Sequence, residues 1–347
     1  MAASSFAVLL LCILTVMQPL GGVTLSSPYL SPSTLFKNYE KMLNNFKIYI
    51  YNPQNSFNFS TPPSSIFHNS LINSQFVTQD PNQAHLFYIP FSPNLSARSI
   101  ARLVKELRIS HPYWNRTLGA DHFFISPTGI DFSSDRNGLE LKKNSVQISN
   151  FPTTSGYFIP HKDITLPPVN PSPLALSQEP ANQTATFLCY VKLDEQTDSS
   201  NLIHELQIDA EFIVESEPSH RVDLVKKSKF CLFSYNGDVS WMSEAMALGC
   251  VPVILVDRPI QDLPLMDVLQ WSEMAFLVAK TAEAKRLKAA LNGVGEDRYQ
   301  QMKRLATAAS RHLVWNAEPQ PHDAFHMVMY QLWLRRHTIR YARRESM

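Results

Sequence analysis

Residues 228–257 read SKFCLFSYNGDVSWMSEAMALGCVPVILVD, and this stretch decides the fold class. The apolar and aromatic run Lys229–Tyr235 is typical of a buried strand and stops at the turn Asn236-Gly237-Asp238. The spacing of Trp241–Leu248 predicts a helix, and the very apolar Val251–Val256 predicts a second strand. A strand, a helix and a strand in this order pair in parallel and indicate an α/β domain.

The turn after the first of these strands is where a ligand is expected, because open parallel sheets bind ligands beyond the carboxyl ends of their strands. The predicted helix start, capped by Asp238 or Ser240, offers backbone N–H groups to a phosphate. Glu244 is placed to accept hydrogen bonds from ribose hydroxyls. The pattern fits a nucleotide diphosphate site and, about equally well, an ordinary packing unit with Glu244 on the surface. The predicted ligand-binding residues are Ser228, Lys229, Ser234, Asn236, Gly237, Asp238, Ser240 and Glu244.

The alternation of strands and helices continues on both sides of this stretch. Lys47–Tyr51, His85–Phe91 and His122–Ser126 have the composition of buried strands, and Ser99–Ile109 has helical spacing. Residues 166–184 are rich in Pro, Ser and Asn and are typical of an interdomain linker. We therefore expect a leader in residues 1–25, an amino-terminal α/β domain in 26–165, the linker in 166–184, and a carboxyl-terminal α/β domain with a helical tail in 185–347.

Length and composition limit the class of protein. A chain of 347 residues suits two domains of ordinary size. Lys and Arg number 31 and Asp and Glu number 30, which gives no electrostatic reason to expect a nucleic-acid partner. Cys-x-x-Cys and Asp-x-Asp pairs are both absent from the sequence, so neither a metal nor another cofactor is expected. For Cys231 and Cys250, which begin neighbouring strands, buried apolar packing is favoured over a disulfide.

The first 25 residues differ from the rest of the chain. Phe6–Met17 is a nearly unbroken apolar run, and the first charged side chain is Lys37. The run is short for a membrane span and favours a signal peptide, although no basic residue precedes it and no clear cleavage site follows. A short signal-anchor is the close alternative, and a buried helix is a weaker third. Lumenal exposure would agree with four N-glycosylation sequons, which begin at Asn58, Asn94, Asn115 and Asn182.

A series of segments between about residues 45 and 280 resembles, in the same order, the exostosin-like glycosyltransferases of family GT47, particularly the plant members. The matching segments are Lys47–Tyr51, Phe76–Phe87, Pro112–Phe124, Lys162-Asp163, Ser228–Cys231, Glu244-Ala245, Gly249–Ile254, Leu263-Pro264 and Val268–Trp271.

The resemblance implies a GT-B-like fold, in which two Rossmann-like α/β domains face a cleft. It further implies a Golgi type II membrane enzyme with a lumenal catalytic part, or a protein secreted after signal cleavage. Such an enzyme moves a sugar from a nucleotide sugar, usually a UDP-sugar, to a polysaccharide or a glycoprotein glycan with inversion. Plant members build xyloglucan, xylan and arabinan, and other glycosyltransferases are expected partners.

Three departures from the family pattern bear on the donor site. Trp241 stands three residues before Glu244, where many members carry Arg. Phe187–Tyr190 replaces a Phe-Ala-Gly stretch with a downstream Arg, and Thr128–Ile130 replaces His-Asp-Trp. Losing two cations would weaken donor binding, since each charge-assisted contact contributes roughly 1.5–3 kcal/mol. The candidate substitutes are Lys226, Lys227 and Lys229, and both a divergent donor site and a loss of catalysis stay open.

Inverting transfer also needs a base that takes the proton of the acceptor hydroxyl. The amino-terminal half offers Asp121, His122, His161 and Asp163 as candidates. His122 has a suitable intrinsic pKa, but a His that opens a buried strand is more often structural. The alternative to an enzyme is a non-catalytic glycan-binding or scaffold subunit of a Golgi glycan synthase complex.

Overall fold

The computed structural model describes residues 27–53, 56–171, 185–193, 201–215, 221–235, 237–256, 262–279 and 281–336. The leader 1–25, residues 172–184 of the predicted linker, and Asn236 lie outside the described residues, as does the sequon residue Asn182. Within the described ranges, no helix combines the length and the apolarity that a bilayer crossing requires.

The amino-terminal half builds a parallel sheet of six strands in the order β2-β1-β3-β4-β5-β6. Its strands are β1 (Ile48–Ile50), β2 (Val77–Thr78), β3 (Leu86–Tyr88), β4 (His122–Ile125), β5 (Val146–Asn150) and β6 (Ile164–Leu166). The helices of this half are α1 (Pro32–Asn45), α2 (Pro62–Ile72), α3 (Ala97–Ser110), α4 (Pro112–Thr117) and α5 (Arg136–Asn144).

The carboxyl-terminal half builds a second parallel sheet of five strands in the order β11-β10-β9-β7-β8. Its strands are β7 (Phe187–Lys192), β8 (Phe212–Glu215), β9 (Ser228–Ser234), β10 (Val251–Val256) and β11 (Phe276–Ala279). The helices are α6 (Asn201–Gln207), α7 (Arg221–Lys226), α8 (Met242–Ala247), α9 (Trp271–Met274), α10 (Ala284–Asn292), α11 (Glu296–Ser310) and α12 (Ala324–Arg335), with a 3₁₀ turn at Arg311–Leu313.

Both sheets are covered on their two faces, which explains why their central strands are apolar along their whole length. One buried cluster packs α3, α4 and α5 on the outer face of the first sheet. A second packs α6, α10 and α11 on the second sheet. The largest cluster is continuous through both halves, from Phe67 and Phe123 to Phe233 and Trp333. The predicted α/β class with two parallel sheets is confirmed.

Helix α12 packs on the amino-terminal sheet, although it follows the second sheet in the chain and falls in the segment predicted as the carboxyl-terminal domain. The Phe325 ring lies 5.8 Å from that of Phe67, and the Trp333 ring lies 5.5 Å from that of Phe46. At the helix end, the buried Arg335 donates through Nε to the Lys162 carbonyl at 2.8 Å and through Nη2 to Asp267 Oδ2 at 2.7 Å. The last helix therefore fastens the two halves together.

The carboxyl edges of the two sheets face each other. Asp262 is buried between them: its Oδ1 accepts from the Tyr235 hydroxyl, just after β9, at 3.0 Å. Its Oδ2 accepts from both the amide and the hydroxyl of Thr153, just after β5, at 3.1 and 2.6 Å. Phe151 meets Tyr235 edge to face, with ring centroids 5.4 Å apart. This arrangement agrees with the GT-B-like architecture that the resemblance implies.

Cys231 and Cys250 form a disulfide, so the preference for separate buried thiols was wrong. Cys231 lies in β9 and Cys250 directly precedes β10, and the two strands are paired neighbours with Cα atoms 5.8 Å apart at the bridge. Gly249 directly precedes Cys250 and ends α8 with φ 85°, a left-handed backbone conformation that favours glycine. The bridge closes the loop that contains α8.

Replacing both bridge cysteines, as Cys231→Ala with Cys250→Ala, should lower the free energy of unfolding by about 2–4 kcal/mol, because the unfolded chain regains the freedom of the closed loop. Urea unfolding with and without dithiothreitol measures this. The reductant should destabilise the wild type and leave the double variant unchanged. The matched control is Cys189→Ala, which removes the buried free thiol and should stay sensitive to reductant. A wild type that is insensitive to reductant would contradict the bridge.

His312 is a buried imidazole that ties the segment before α1 to the segment before α12. Its Nδ1 lies 2.6 Å from the His322 carbonyl, which can only accept, so Nδ1 donates and Nε2 accepts from the Tyr29 hydroxyl at 2.8 Å. Burial lowers the pKa of His312 to about 4; the His322 carbonyl opposes this shift and the nearby Arg311 adds to it. The folded protein therefore holds His312 neutral where the unfolded chain would protonate it.

Because the folded pKa of His312 lies below its unfolded value of 6.5, the unfolded chain binds the extra proton and stability falls as pH decreases from about 6.5 to about 4. One such proton changes the free energy of unfolding by at most about 1.4 kcal/mol per pH unit. We expect His312→Gln to remove this contribution from the dependence of the free energy of unfolding on pH. Urea unfolding at several pH values measures that dependence. The exposed His204→Gln is the matched control variant, and a dependence on pH that is the same in His312→Gln as in the wild type would refute the assignment.

Candidate functional site

Charged and polar side chains gather at the carboxyl edge of the second sheet, beyond β7 and β9. Lys192, the last residue of β7, forms an ion pair through Nζ with Asp238 Oδ2. Asp238 Oδ1 accepts from the Ser240 amide at 2.8 Å, and Gly237 and Ser234 lie in the same strand-to-turn segment. The exposed fractions of the Lys192 and Asp238 side chains are 23% and 31%, so solvent reaches both.

Asp238 is held as a carboxylate. Burial alone raises its pKa, but hydrogen bonds from Lys192 and Ser240 outweigh burial and hold the pKa of Asp238 below its usual value. Since the carboxylate bonds the Ser240 amide ahead of the helix, the expected cap on α8 is not formed. Helix α8 begins at Met242, has six residues, and carries no side-chain cap.

Trp241 fills the space between this turn and the sheet. Its ring centroid lies 4.4 Å from that of Phe233 and 5.6 Å from that of Tyr190, and the residue is 2% exposed. Its indole N–H donates to the Asp238 carbonyl at 3.0 Å. The aromatic ring is thus a core residue that braces the turn, and it offers no group to a phosphate.

Glu244 lies in the first turn of α8, one helical turn after Trp241, and is 3% exposed. It is therefore not the exposed surface residue of an ordinary packing unit. Its place in the first turn of the helix that follows β9 is the one predicted for a group that accepts from ribose hydroxyls.

The structure does not bring Ser228 and Lys229 to this edge. Both open β9 at the opposite, amino end, where Ser228 donates to the Leu224 carbonyl at 2.8 Å. Lys229 pairs with Glu296 at 3.2 Å and lies over the Tyr299 ring at 5.1 Å from its centroid. Through these contacts, Ser228 and Lys229 stabilise the start of β9.

Two of the base candidates form a buried network at the amino end of β4. His122 is 0% exposed, donates through Nδ1 to Asp121 Oδ1 at 2.7 Å, and accepts through Nε2 from the Tyr51 hydroxyl at 3.0 Å. Burial lowers the pKa of His122, and the adjacent Asp121 only partly opposes this. Arg116 also donates to Asp121 at 2.8 Å. Tyr51 directly follows β1, so the network links the amino end of β4 to the carboxyl end of β1, and both ring nitrogens of His122 are engaged within it.

The other two candidates precede β6. The Asp163 side chain is fully buried and accepts from the Gln147 amide at 3.1 Å, the Ile159 amide at 2.8 Å and Lys162 Nζ. Those donors occupy the carboxylate, which therefore holds the loop before β6. His161 is exposed, has φ 64°, and lines a cavity of about 470 Å³ together with Asp267 and Arg335.

Among the sequon residues that the structure describes, Asn58, Asn94 and Asn115 are all exposed, as glycan attachment requires. Their glycosylation stays a prediction. In the described part of the chain, no group of three or more His, Cys, Asp or Glu side chains is arranged to hold a metal ion.

Two residues of the site were missed from the sequence. Neither Lys192, the last residue of β7, nor Asp262 was singled out as a candidate. Lys192 could have been found by extending the apolar run of β7 by one residue at its carboxyl end. Asp262 carried no local signal, because its partners Thr153 and Tyr235 are 109 and 27 residues away.

Comparison with known proteins agrees with the resemblance seen in the sequence. The sequence model of the Exostosin GT47 domain matches residues 42–294. A probable glycosyltransferase of Arabidopsis thaliana is 28% identical, over 90% of this chain and 72% of that protein. The probable beta-1,4-xylosyltransferase IRX10 of the same plant is 24% identical, over 76% of this chain and 72% of its own length.

Among solved structures, the chain is similar to AviGT4, a glycosyltransferase of avilamycin A biosynthesis, with a TM-score of 0.35 and 11% identity, over 84% of this chain and 97% of that one. A likeness at that level supports no conclusion about substrates. The family match covers well over half of the chain, including both sheets up to α10. The protein therefore belongs to the exostosin GT47 family and is a glycosyltransferase.

Proposed function

We propose that the protein transfers a sugar from a UDP-sugar to a cell-wall polysaccharide or a glycoprotein glycan, with inversion and without a divalent metal. It would do so in the Golgi lumen, held to the Golgi membrane by its amino-terminal segment and accompanied by other glycosyltransferases. Secretion after signal cleavage is the alternative for its location.

One observation carries the donor side of this proposal. Lys192 pairs with Asp238 at the carboxyl edge of the second sheet, where open α/β sheets bind nucleotides, and Glu244 lies in the first turn of the helix that follows β9. This edge faces the corresponding edge of the first sheet across the Asp262 contact. A donor bound at one edge would thus present its sugar to an acceptor bound at the other.

The chemistry is a single displacement. The acceptor hydroxyl oxygen bonds to the anomeric carbon on the face opposite the diphosphate, while the bond from that carbon to the diphosphate oxygen breaks. The electron pair leaves with the diphosphate, and the hydroxyl proton passes to a base. Attack from the opposite face inverts the anomeric centre. The protein must stabilise the charge that grows on the departing diphosphate.

The names of two relatives support a plant cell-wall polysaccharide as the acceptor and suggest which donor sugars to test. One is a probable beta-1,4-xylosyltransferase of Arabidopsis thaliana, and another is a probable glucuronosyltransferase of Oryza sativa subsp. japonica, 25% identical over 76% of this chain. Xylose and glucuronic acid are sugars of plant wall polysaccharides, which makes a pentose or uronic acid donor the first to test.

Glu244→Gln should reduce kcat/KM for the donor about tenfold to a hundredfold, because a carboxylate that accepts from ribose hydroxyls makes charge-assisted hydrogen bonds of roughly 1.5–3 kcal/mol. The measurement is transfer from a radiolabelled nucleotide sugar, after a panel has identified the donor. Gln keeps the size of the buried side chain, so folding should be preserved, which circular dichroism checks.

The matched control for this substitution is Glu273→Gln. Glu273 also lies in a short helix of the same half, but its carboxylate pairs with Arg298 at 2.7 Å on the surface. The Glu273→Gln variant should transfer sugar at the same rate as the wild type. Equal turnover by Glu244→Gln would remove the ribose role, and a folded wild type that binds no nucleotide would favour the non-catalytic scaffold subunit.

The sequence lacks an Asp-x-Asp pair, so transfer should continue after the protein has been dialysed against EDTA. The rate with the identified donor, measured before and after dialysis, is the test. A rate that collapses and returns with Mn²⁺ would show that the enzyme depends on a metal.

A further inference from the structure

The diphosphate of a nucleotide donor needs a positively charged side chain beside it. The structure narrows the set of basic residues that could take this role. Trp241 stands where the family resemblance implies an Arg, and it is buried against Phe233. Lys229 lies at the amino end of β9, where it pairs with Glu296. Lys226 and Lys227 precede β9 on the same side. The substitutes expected from the sequence are therefore at the wrong end of the sheet.

Lys192 is at the right end. Of the residues that end β7 to β11 in the described part of the chain, it is the only basic one. Its side chain reaches from β7 across to the turn after β9, where Nζ meets Asp238. The Asp238 carbonyl holds the Trp241 indole, and Glu244 follows one helical turn later. Lys192 thus contacts the turn that leads into the helix carrying Glu244, the residue predicted to hold the ribose.

The ion pair between Lys192 and Asp238 can be broken at little cost in stability. The Lys192 and Asp238 side chains are 23% and 31% exposed, and ion pairs this accessible to water contribute little net stability. Asp238 keeps a second partner in the Ser240 amide. A diphosphate carries more negative charge than one carboxylate, so it attracts the ammonium group more strongly.

We propose that Lys192 binds the diphosphate of the donor, and that in the free enzyme Asp238 occupies this lysine in its place. The inference rests on the proposed function and assigns a residue to its donor site. Asp238 then acts as a competitor of the donor: its carboxylate repels the incoming phosphates and must release Lys192 before they bind. The Trp241 ring keeps Asp238 in position through its hydrogen bond to the Asp238 carbonyl.

Calorimetry of the purified full chain with UDP and with uridine tests this assignment. Lys192→Met should weaken UDP binding about tenfold to a hundredfold and leave uridine binding unchanged, because only UDP carries the phosphates. Lys192→Arg should retain most of the affinity for UDP. Asp238→Asn should strengthen UDP binding, since Asn keeps the acceptor for the Ser240 amide but removes the competing charge.

The matched control is Lys288→Met. Lys288 also forms a partly exposed ion pair, with Asp209 at 2.6 Å, but its partner precedes β8 at the amino edge of the same sheet. This variant should bind UDP like the wild type.

The outcomes separate the two proposals. If the wild type binds UDP and Lys192→Met binds it equally well, the Lys192 assignment is overturned and the proposed function stands. If Lys192→Met loses UDP and uridine binding to the same extent, the lysine shapes the site without contacting the phosphates, and the assignment also fails. UDP binding that is weaker in Asp238→Asn overturns the competition. A wild type that binds neither UDP nor uridine overturns the UDP-sugar donor and the inference with it.

Discussion

The buried side chain of Asp262 joins the carboxyl edges of the two sheets, and the candidate site lies at one of these edges. Taking a carboxylate out of water is costly unless hydrogen bonds replace the lost hydration. Asp262 receives such bonds from Tyr235 in one half and from the amide and hydroxyl of Thr153 in the other. These hydrogen bonds join the carboxyl edges of the two sheets, together with the edge-to-face contact between Phe151 and Tyr235.

Trp241 stands where the family resemblance implies a cation, and the structure shows what this side chain does instead. Trp241 packs in the core against Phe233 and Tyr190, and it offers no cation to a ligand. The turn that it braces keeps Asp238 pointed at Lys192. In the proposed donor site, Lys192 is the basic residue that ends a strand of the second sheet within the described ranges, and Asp238 already engages it, so the proposal makes nucleotide affinity depend on a local exchange of partners.

Much of the fold was predictable because it is encoded locally. The strands around residues 228–257 and the stop at Gly249 follow from apolar runs and one left-handed glycine. The bridge between Cys231 and Cys250 was missed because thiol pairing depends on strand register, which composition does not give. The network of His122 with Tyr51 spans 71 residues, and that of Arg335 with Lys162 spans 173. Such long-range partners decide which polar residues are structural, and no local pattern reveals them.

The return of α12 to the first sheet has a consequence for the order of events during synthesis. The first sheet ends at Leu166, but Phe325 and Trp333, which cover Phe67 and Phe46, leave the ribosome more than a hundred and fifty residues later. Until then the nascent first half exposes an aromatic surface that chaperones can recognise. Its core closes only after the second half has been made, so the two halves mature together as one folding unit.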